Sequence, residues 1–181
     1  MLAMELPSPH RPVLFVVSAF SRHEDARLWC RERLTQRFGP TVLESELFDF
    51  SETGYYENTM GVDLKLQMLA FERPIDPAEL AAIKRQTIEW EQEYQATCEH
   101  PEDRPLNLDP GYLTEAKFVL ATTKDRDHRL YLADGVFAEL TLHFQRGQWR
   151  GREWTYPNYL RDDYRAFLSR CRDYYRSCKV N

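Results

Sequence analysis

One short stretch of the chain, residues 121–132 (ATTKDRDHRLYL), concentrates side chains that are able to do chemistry. It holds two threonines, several cationic groups and His128 within twelve positions. Cationic groups beside hydroxyls suit the oxygens of phosphate, and a histidine titrates near neutral pH. The stretch therefore indicates either an anion-binding site or a charged surface turn, because Asp125 and Asp127 partly neutralise it. The predicted ligand-binding residues here are Thr122, Thr123, Lys124 and Arg129.

The segment after this stretch has the pattern of a β-hairpin. Alternating residues flank an Asp-Gly pair at 134–135, the strongest short-range hairpin pattern. Counted back from that turn, the register places His128 opposite Thr141, with Glu139 and His143 as diagonal neighbours about 7–8 Å away. The register predicts an acid–base site in which His128 works with Glu139, and Thr141 is expected to contact a ligand.

Two other interpretations of the same surface stay open. His128, Glu139 and His143 together resemble a set of two histidines and one carboxylate, which would suit a metal-dependent hydrolase. The same side chains are also what the solvated face of a half-buried antiparallel sheet carries. The sequence identifies no cofactor and does not decide between these interpretations.

Around this stretch the chain predicts a strand, a helix, two strands, a helix and a strand, followed by the hairpin and a last helix. The first six elements match a ferredoxin-like split βαβ arrangement. We therefore expect one α+β domain over residues 13–181 with a mainly antiparallel sheet, after a flexible proline-rich arm at 1–12. Residues 115–123 fit a strand or a helix, and their short apolar centre favours a strand.

Local patterns predict where several elements begin and turn. Ser21 and Glu24 have the spacing of a capping box, and so do Asp76 and Glu79. Asp109 precedes Pro-Gly, which is typical of a turn, although its carboxylate is also a candidate for a binding site. Tyr56 belongs to a loop where an aromatic ring either stacks on a ligand or pins the loop to the core.

Composition excludes several functions. Asp and Glu outnumber Lys and Arg by 29 to 24, which gives a formal charge of −5 and disfavours non-specific binding to nucleic acid. The four cysteines form no Cys-x-x-Cys pair, and neither a signal peptide nor a membrane-spanning run is apparent. We therefore expect a cytoplasmic protein that does not contact membranes. Its oligomeric state is left open.

Several stretches taken together resemble an uncharacterised family. They are 50–61 (FSETGYYENTMG), 106–113 (LNLDPGYL), 117–132 (KFVLATTKDRDHRLYL), 136–142 (VFAELTL) and 154–159 (WTYPNY). The sequence resembles the family called domain of unknown function 4416 over nearly the whole chain after the arm. That family has no established activity, although some members are labelled GTP-binding proteins.

The resemblance implies at most a nucleotide, and the residues show no standard site for one. The chain has seven glycines and no G-x-x-x-x-G-K-[ST] pattern. A nucleotide would therefore bind by another mode, through Lys124, His128 and Arg129. The leading expectation is a small anionic ligand, phosphorylated or nucleotide-like. The alternative is a non-catalytic interaction module with an exposed aromatic surface made of Tyr55, Tyr56, Trp149, Trp154 and Tyr156.

Overall fold

The computed structural model describes residues 8–50 and 56–178, which form a single domain of mixed helix and sheet. The strands are β1 (Leu14–Ser21), β2 (Thr41–Glu44), β3 (Phe48–Asp49), β4 (Lys65–Phe71), β5 (Asn107–Leu113), β6 (Lys117–Thr122), β7 (Arg129–Ala133), β8 (Val136–Gln145) and β9 (Gln148–Arg150). The α-helices are α1 (Glu24–Phe38), α2 (Glu57–Met60), α3 (Leu80–Thr97) and α4 (Asp162–Ser177). Among the described residues, no helix is both long enough and apolar enough to cross a bilayer.

The strands form one open antiparallel sheet in the order β2-β4-β1-β5-β6-β8-β7, with β3 beside β4 and β9 beside β8. The first four positions have the strand order of a ferredoxin-like split βαβ unit, which confirms the predicted core. The strands β6, β8 and β7 extend that core on the side of β5. The segment 115–123 contributes β6, so the favoured strand interpretation is also confirmed.

Helices cover both faces of the sheet. On one face, Leu34 of α1 and Ile83 of α3 share a buried cluster with Phe15 of β1. On the other face, Leu168 of α4 packs with Val16 of the same strand. Neighbouring residues of β1 thus point to opposite faces, as they must in a strand, and its eight residues are all buried.

One of the two predicted capping boxes is present. Asp76 accepts from the amide of Ala78 at 2.9 Å, and Glu79 accepts from the amide of Asp76 at 3.1 Å. The box predicted at Ser21 is wrong, because α1 begins at Glu24 after His23, which makes no side-chain cap. The Ser21 hydroxyl instead donates to the carbonyl of Pro105 at 2.7 Å and ties the end of β1 to the loop before β5.

The turn predicted at Asp109 is also wrong, because the residues continue as the central strand β5. Pro110 lies opposite Val17 of β1, and the pairing of β5 with β6 ends at Gly111 and Leu120. Proline has no amide N–H to continue that ladder. Beyond this point β5 pairs with β1 alone and β6 pairs with β8 alone, so the two strands part.

The hairpin forms where it was predicted, but its register differs by one residue after the turn. Ala133 lies opposite Val136 as expected, and a β-bulge at Leu132 then shifts the pairing. Arg129 therefore lies opposite Glu139, so the predicted pairing of His128 with Thr141 is wrong. A bulge places two residues opposite one, and the turn sequence alone does not reveal it.

Candidate functional site

A pocket opens where β5 and β6 part. It contains about 750 Å³ of space between protein atoms when the open solvent at its mouth is included, and its cavity volume is about 100 Å³. Its lining residues come from both strands, the hairpin, α3 and the loops around them. They are Phe20, Phe50, Tyr56, Lys84, Arg104, Asn107, Asp109, Leu120, Ala121, Thr122, Thr123, Lys124, Arg129, Glu139, Tyr156, Asn158 and Tyr159.

The pocket brings together most of the residues that the sequence singled out. Seven of the predicted catalytic and ligand-binding residues lie in its lining, although they come from three separate parts of the chain. They are Tyr56, Asp109, Thr122, Thr123, Lys124, Arg129 and Glu139. His128 lies directly behind Glu139, whereas Thr141 and His143 do not line the pocket.

Glu139 forms the hairpin side of the pocket with two partners from β7 and the turn before it. The Arg129 Nε donates to Glu139 Oε2 at 2.8 Å, and His128 Nε2 lies 3.1 Å from the same oxygen. Arg129 also donates to the carbonyl of Lys124 at 2.9 Å, which fixes the turn. The His128 ring stacks on Trp154 at 5.0 Å between centroids.

Glu139, Arg129 and His128 come together because of the bulge, although the predicted hairpin register was wrong. The bulge places Arg129 opposite Glu139, and His128 reaches the same carboxylate from just beyond the end of β7. Both ionic partners are buried, because the side chains of Arg129 and Glu139 are only 6% and 4% exposed. A carboxylate within hydrogen-bond reach of an imidazole has the geometry of an acid–base pair, and the guanidinium holds that carboxylate in place.

The metal set His128, Glu139 and His143 does not come together. His143 lies opposite Lys117 and Arg150, four residues along β8 from Glu139. Within the described residues, the group of histidines and carboxylates whose ligand atoms lie close enough for one ion is a different one. Thr141 is fully buried, and its hydroxyl donates to the carbonyl of Glu139 at 3.4 Å.

The opposite side of the pocket holds a buried polar network that the sequence did not predict. Lys84 of α3 donates to Asp109 Oδ1 at 3.0 Å and to the carbonyl of Leu108 at 2.7 Å. Asn107 donates to Asp109 Oδ2 at 3.0 Å. Because α3 packs on the face opposite α4, Lys84 reaches Asp109 through the gap between the parted strands.

Arg104 extends this network toward the loop before β5. Its Nη2 donates to Glu91 Oε2 at 2.7 Å and also to the side-chain oxygen of Asn107. Glu91 in turn accepts from the amide of Leu108 at 2.7 Å through its other oxygen. Arg104 keeps 36% of its side chain exposed, so it is anchored at one edge and open to the pocket at the other.

Electrostatics keep Asp109 ionised. Burial by itself raises the pKa of this carboxyl, but the charge and hydrogen bond of Lys84, followed by those of Asn107 and Arg104, outweigh it and lower the pKa below 3.8. Arg104 stays protonated, because Glu91 outweighs the effect of burial and raises the pKa of the guanidinium. Asp109 and Arg104 are therefore both charged at neutral pH.

Aromatic rings form the remaining wall. Phe20 packs edge to face on Phe50 at 5.1 Å between centroids, and Tyr56 lies 5.8 Å from Phe50. Tyr159 is buried, and its hydroxyl lies 3.2 Å from that of Ser18. Burial, followed by the nearby charge of Asp109, raises the pKa of Tyr159 well above 10.0, so the phenol stays protonated.

A pattern in α3 does indicate the missed network. Leu80, Lys84, Thr87, Glu91 and Tyr94 are all buried and recur at intervals of four and three residues, which is one stripe of the helix. A lysine and a glutamate on such a stripe face the core and require partners there. Their partners come from the loop and strand that follow, and the helical pattern alone does not identify them.

The exposed aromatic surface is only partly present. Trp149 is 1% exposed and belongs to the core under α4, so its expected role on that surface is wrong. Trp154 and Tyr156 are 36% and 40% exposed. Tyr56 lines the pocket, and Tyr55 lies outside the described residues.

Comparison with known proteins supports the resemblance seen in the sequence. A protein-family model described as "Domain of unknown function (DUF4416)" matches residues 11–175. Neither the curated proteins nor the solved structures contain a match. The matched region includes every residue that lines the pocket. Because the match spans most of its length, the chain belongs to the DUF4416 family.

Proposed function

We propose that the protein binds a small anionic ligand, phosphorylated or nucleotide-like, in the pocket between β5 and β6. The observation that carries this proposal is the charge of the lining. Four cationic side chains face two carboxylates there: Lys84, Arg104, Lys124 and Arg129 against Asp109 and Glu139. Glu91, which pairs with Arg104 from outside the lining, offsets one further positive charge, so the local surplus is about one charge in a protein that is acidic as a whole.

The solvent-exposed cations of the pocket are the groups that would bind the anionic part of the ligand. Lys124 is exposed, and Arg104 is partly exposed, so both can approach an anion with little further desolvation. Thr122 and Thr123 provide hydroxyl groups beside them. Charge-assisted hydrogen bonds of this type contribute about 1.5–3 kcal/mol each. The ligand's anionic group therefore belongs between the end of β6 and the loop that carries Arg104.

The aromatic wall favours a ligand with a flat part. Five aromatic side chains line the same pocket: Phe20, Phe50, Tyr56, Tyr156 and Tyr159. Rings of this kind stack on a nucleobase or pack against a sugar. This combination of an aromatic wall and cationic groups supports a nucleotide-like ligand that binds without a P-loop.

Proton transfer, where the bound ligand undergoes it, is assigned to Glu139 with His128 behind it. Glu139 lines the pocket and receives hydrogen bonds from Arg129 and His128 on one oxygen. His128 does not line the pocket, so its role is to position Glu139 and to exchange a proton with it. This assignment keeps the predicted pair and gives the two residues different roles.

A thermal-shift screen tests the proposal. The full-length protein is heated with guanosine, GMP, GTP, ribose 5-phosphate and inorganic phosphate in separate samples, and hits are titrated calorimetrically. We expect the phosphorylated compounds to raise the melting temperature and guanosine to have little effect. Lys124→Gln should weaken the binding of a hit about tenfold, the equivalent of about 1.4 kcal/mol.

Arg73→Gln is the matched control, because Arg73 is an exposed cation outside the pocket lining. Its affinity for the hit should equal that of the unsubstituted protein. The proposal fails if no phosphorylated compound shifts the melting temperature. It also fails if Lys124→Gln and Arg73→Gln change the affinity equally, because the attraction would then reflect overall charge.

A further inference from the structure

A second cluster of titratable side chains lies outside the pocket, where β1 leads into α1. His23 precedes the helix and Asp25 lies in its first turn. The loop after α3 passes over them and contributes His100 and Glu102. The four side chains come from two segments about 75 residues apart, so the fold brings them together.

The distances within this cluster fit one metal ion. One ligand atom from each of His23, Asp25 and His100 lies within 4.8 Å of the other two. His100 Nε2 is 3.0 Å from Asp25 Oδ2, and His23 Nε2 is 2.9 Å from Glu102 Oε2. Ligand atoms that are each about 2.1 Å from one tetrahedral ion lie about 3.4 Å apart, so the three atoms must move closer together by about 1 Å or more for an ion to bind.

We propose that His23, Asp25 and His100 bind a divalent first-row transition metal ion such as Zn²⁺, with a fourth position left to water. Two imidazoles and one carboxylate form a nitrogen and oxygen set that suits zinc and its neighbours better than magnesium or calcium. The side chains of His23 and His100 are 21% and 20% exposed, and that of Asp25 is 66% exposed. An ion can therefore reach the cluster from solvent.

The positions of the two rings determine how binding occurs. The imidazoles of His23 and His100 are stacked 3.5 Å apart and inclined by only 9°. Ring-nitrogen lone pairs lie in the plane of their own ring, so two parallel rings cannot both aim at one ion. Metal binding consequently rotates at least one imidazole out of the stack, and it replaces a contact with a carboxylate by a bond to the ion.

A supporting hydrogen bond is already present. The Tyr94 hydroxyl donates to Asp25 Oδ2 at 3.0 Å and lies 3.1 Å from His100 Nε2. Hydrogen bonds to a ligating carboxylate orient it and are typical of the surroundings of a metal ion. Tyr94 is a buried residue of α3, so it provides a fixed reference point for Asp25.

Calorimetry with metal-free full-length protein tests the site. Titration with ZnCl₂ should show one ion per chain, whereas MgCl₂ should show no binding at the same concentrations. His100→Gln and Asp25→Asn should each weaken the affinity for Zn²⁺ at least tenfold. Asp25→Asn preserves the shape of a largely exposed side chain, so its effect does not depend on a folding defect. His10→Gln, at an exposed histidine outside the cluster, should match the unsubstituted protein.

Cobalt provides a readout that distinguishes the ligands. Co²⁺ bound by nitrogen and oxygen should give weak visible absorption without the intense near-ultraviolet band of thiolate ligation. Binding at Cys98 or Cys178, the accessible thiols of the described chain, would produce that band. Absence of Zn²⁺ binding overturns the proposal. It is overturned equally by a thiolate band, or by affinity that survives in both His100→Gln and Asp25→Asn.

Discussion

Two carboxylates face the pocket from different walls, and they are held in different ways. Glu139 receives Arg129 and His128, which lie 10 and 11 residues away along the chain. Asp109 receives Lys84 from a helix 25 residues away, on the other face of the sheet. The first cluster follows from local pairing in a hairpin, and the second depends on the whole fold. We therefore expect the Asp109 side to control stability and the Glu139 side to be the more adaptable one.

The largest expected effect comes from Asp109→Ala. Lys84 is only 5% exposed at its side chain, and the substitution leaves its ammonium group with the Leu108 carbonyl as its remaining partner among the bonds described. Removing one member of a buried ion pair costs about 4 kcal/mol. Urea denaturation measures the change in the free energy of unfolding.

The double substitution Lys84→Met with Asp109→Ala is the matched control for this prediction. It removes both charges, so we expect it to recover at least half of the stability lost in Asp109→Ala. If the double variant is as unstable as the single one, the cost reflects lost packing and not an unpaired buried charge.

This contrast also explains how much the sequence predicts. The Asp-Gly turn locates the hairpin, and with it the closeness of His128 and Glu139, even though the bulge at Leu132 changes the register. The meeting of Lys84 with Asp109 depends on the parting of β5 and β6. That parting depends on where Pro110 falls in a central strand, and Asp-Pro-Gly has the local pattern of a turn.

The ferredoxin-like core is predictable for a different reason. Its strand and helix patterns are long, and the order of six elements restricts the topology to few choices. The loop between α3 and β5 has no such periodicity. Arg104 and His100 both lie in it, and the carboxylates that they contact are in other elements, Glu91 in α3 and Asp25 in α1. Tertiary packing, which a single sequence does not display, determines both contacts.

The next largest loss of stability is expected from a substitution at Gly111, where the pairing of β5 with β6 ends. A Cβ at Gly111 would lie 2.3 Å from the carbonyl oxygen of Val119, which belongs to the backbone of β6. Gly111→Ala must therefore push β5 and β6 apart at the last point where they pair, and we expect the free energy of unfolding to fall by about 3 kcal/mol. Thermal unfolding of the variant and the unsubstituted protein measures this change.

Gly135→Ala is a suitable comparison for Gly111→Ala. A Cβ at Gly135 meets no atom within 4 Å, and its cost comes only from a φ of +74° in the turn. We expect Gly135→Ala to lower the free energy of unfolding by about 1 kcal/mol. Equal losses at the two positions would show that close contact between β5 and β6 is not what requires a glycine at 111.

A smaller loss is expected from Glu139→Gln. The amide keeps the shape of the side chain and one acceptor oxygen, but it removes the charge that faces Arg129. Arg129 retains its hydrogen bond to the Lys124 carbonyl, so we expect Glu139→Gln to lower the free energy of unfolding by only about 2 kcal/mol. His128→Gln should cost less than about 1 kcal/mol, because His128 is at the edge of the cluster. If His128→Gln is the more damaging of the two, Arg129 is not the principal partner of Glu139.

The smallest expected effect is a difference in acid sensitivity. Burial raises the pKa of Asp109, but Lys84 and then Asn107 and Arg104 lower it further, to below its ordinary value of 3.8. A lowered pKa in the folded state stabilises the protein above the unfolded value, and this contribution is lost as the pH falls through the folded pKa. Between pH 5 and pH 3 the unsubstituted protein should therefore lose stability more steeply than Asp109→Asn.

Urea denaturation of both proteins across that pH range measures the two slopes. Other carboxyls with lowered pKa values, such as Asp49 and Asp163, are present in both proteins and cancel in the difference. Asp109→Asn keeps the size of the side chain while it removes the titrating group. If the free energy of unfolding depends on pH equally in both proteins, Lys84 does not favour the ionised form of Asp109. The difference between the Asp109 and Glu139 sides of the pocket would then depend on burial alone.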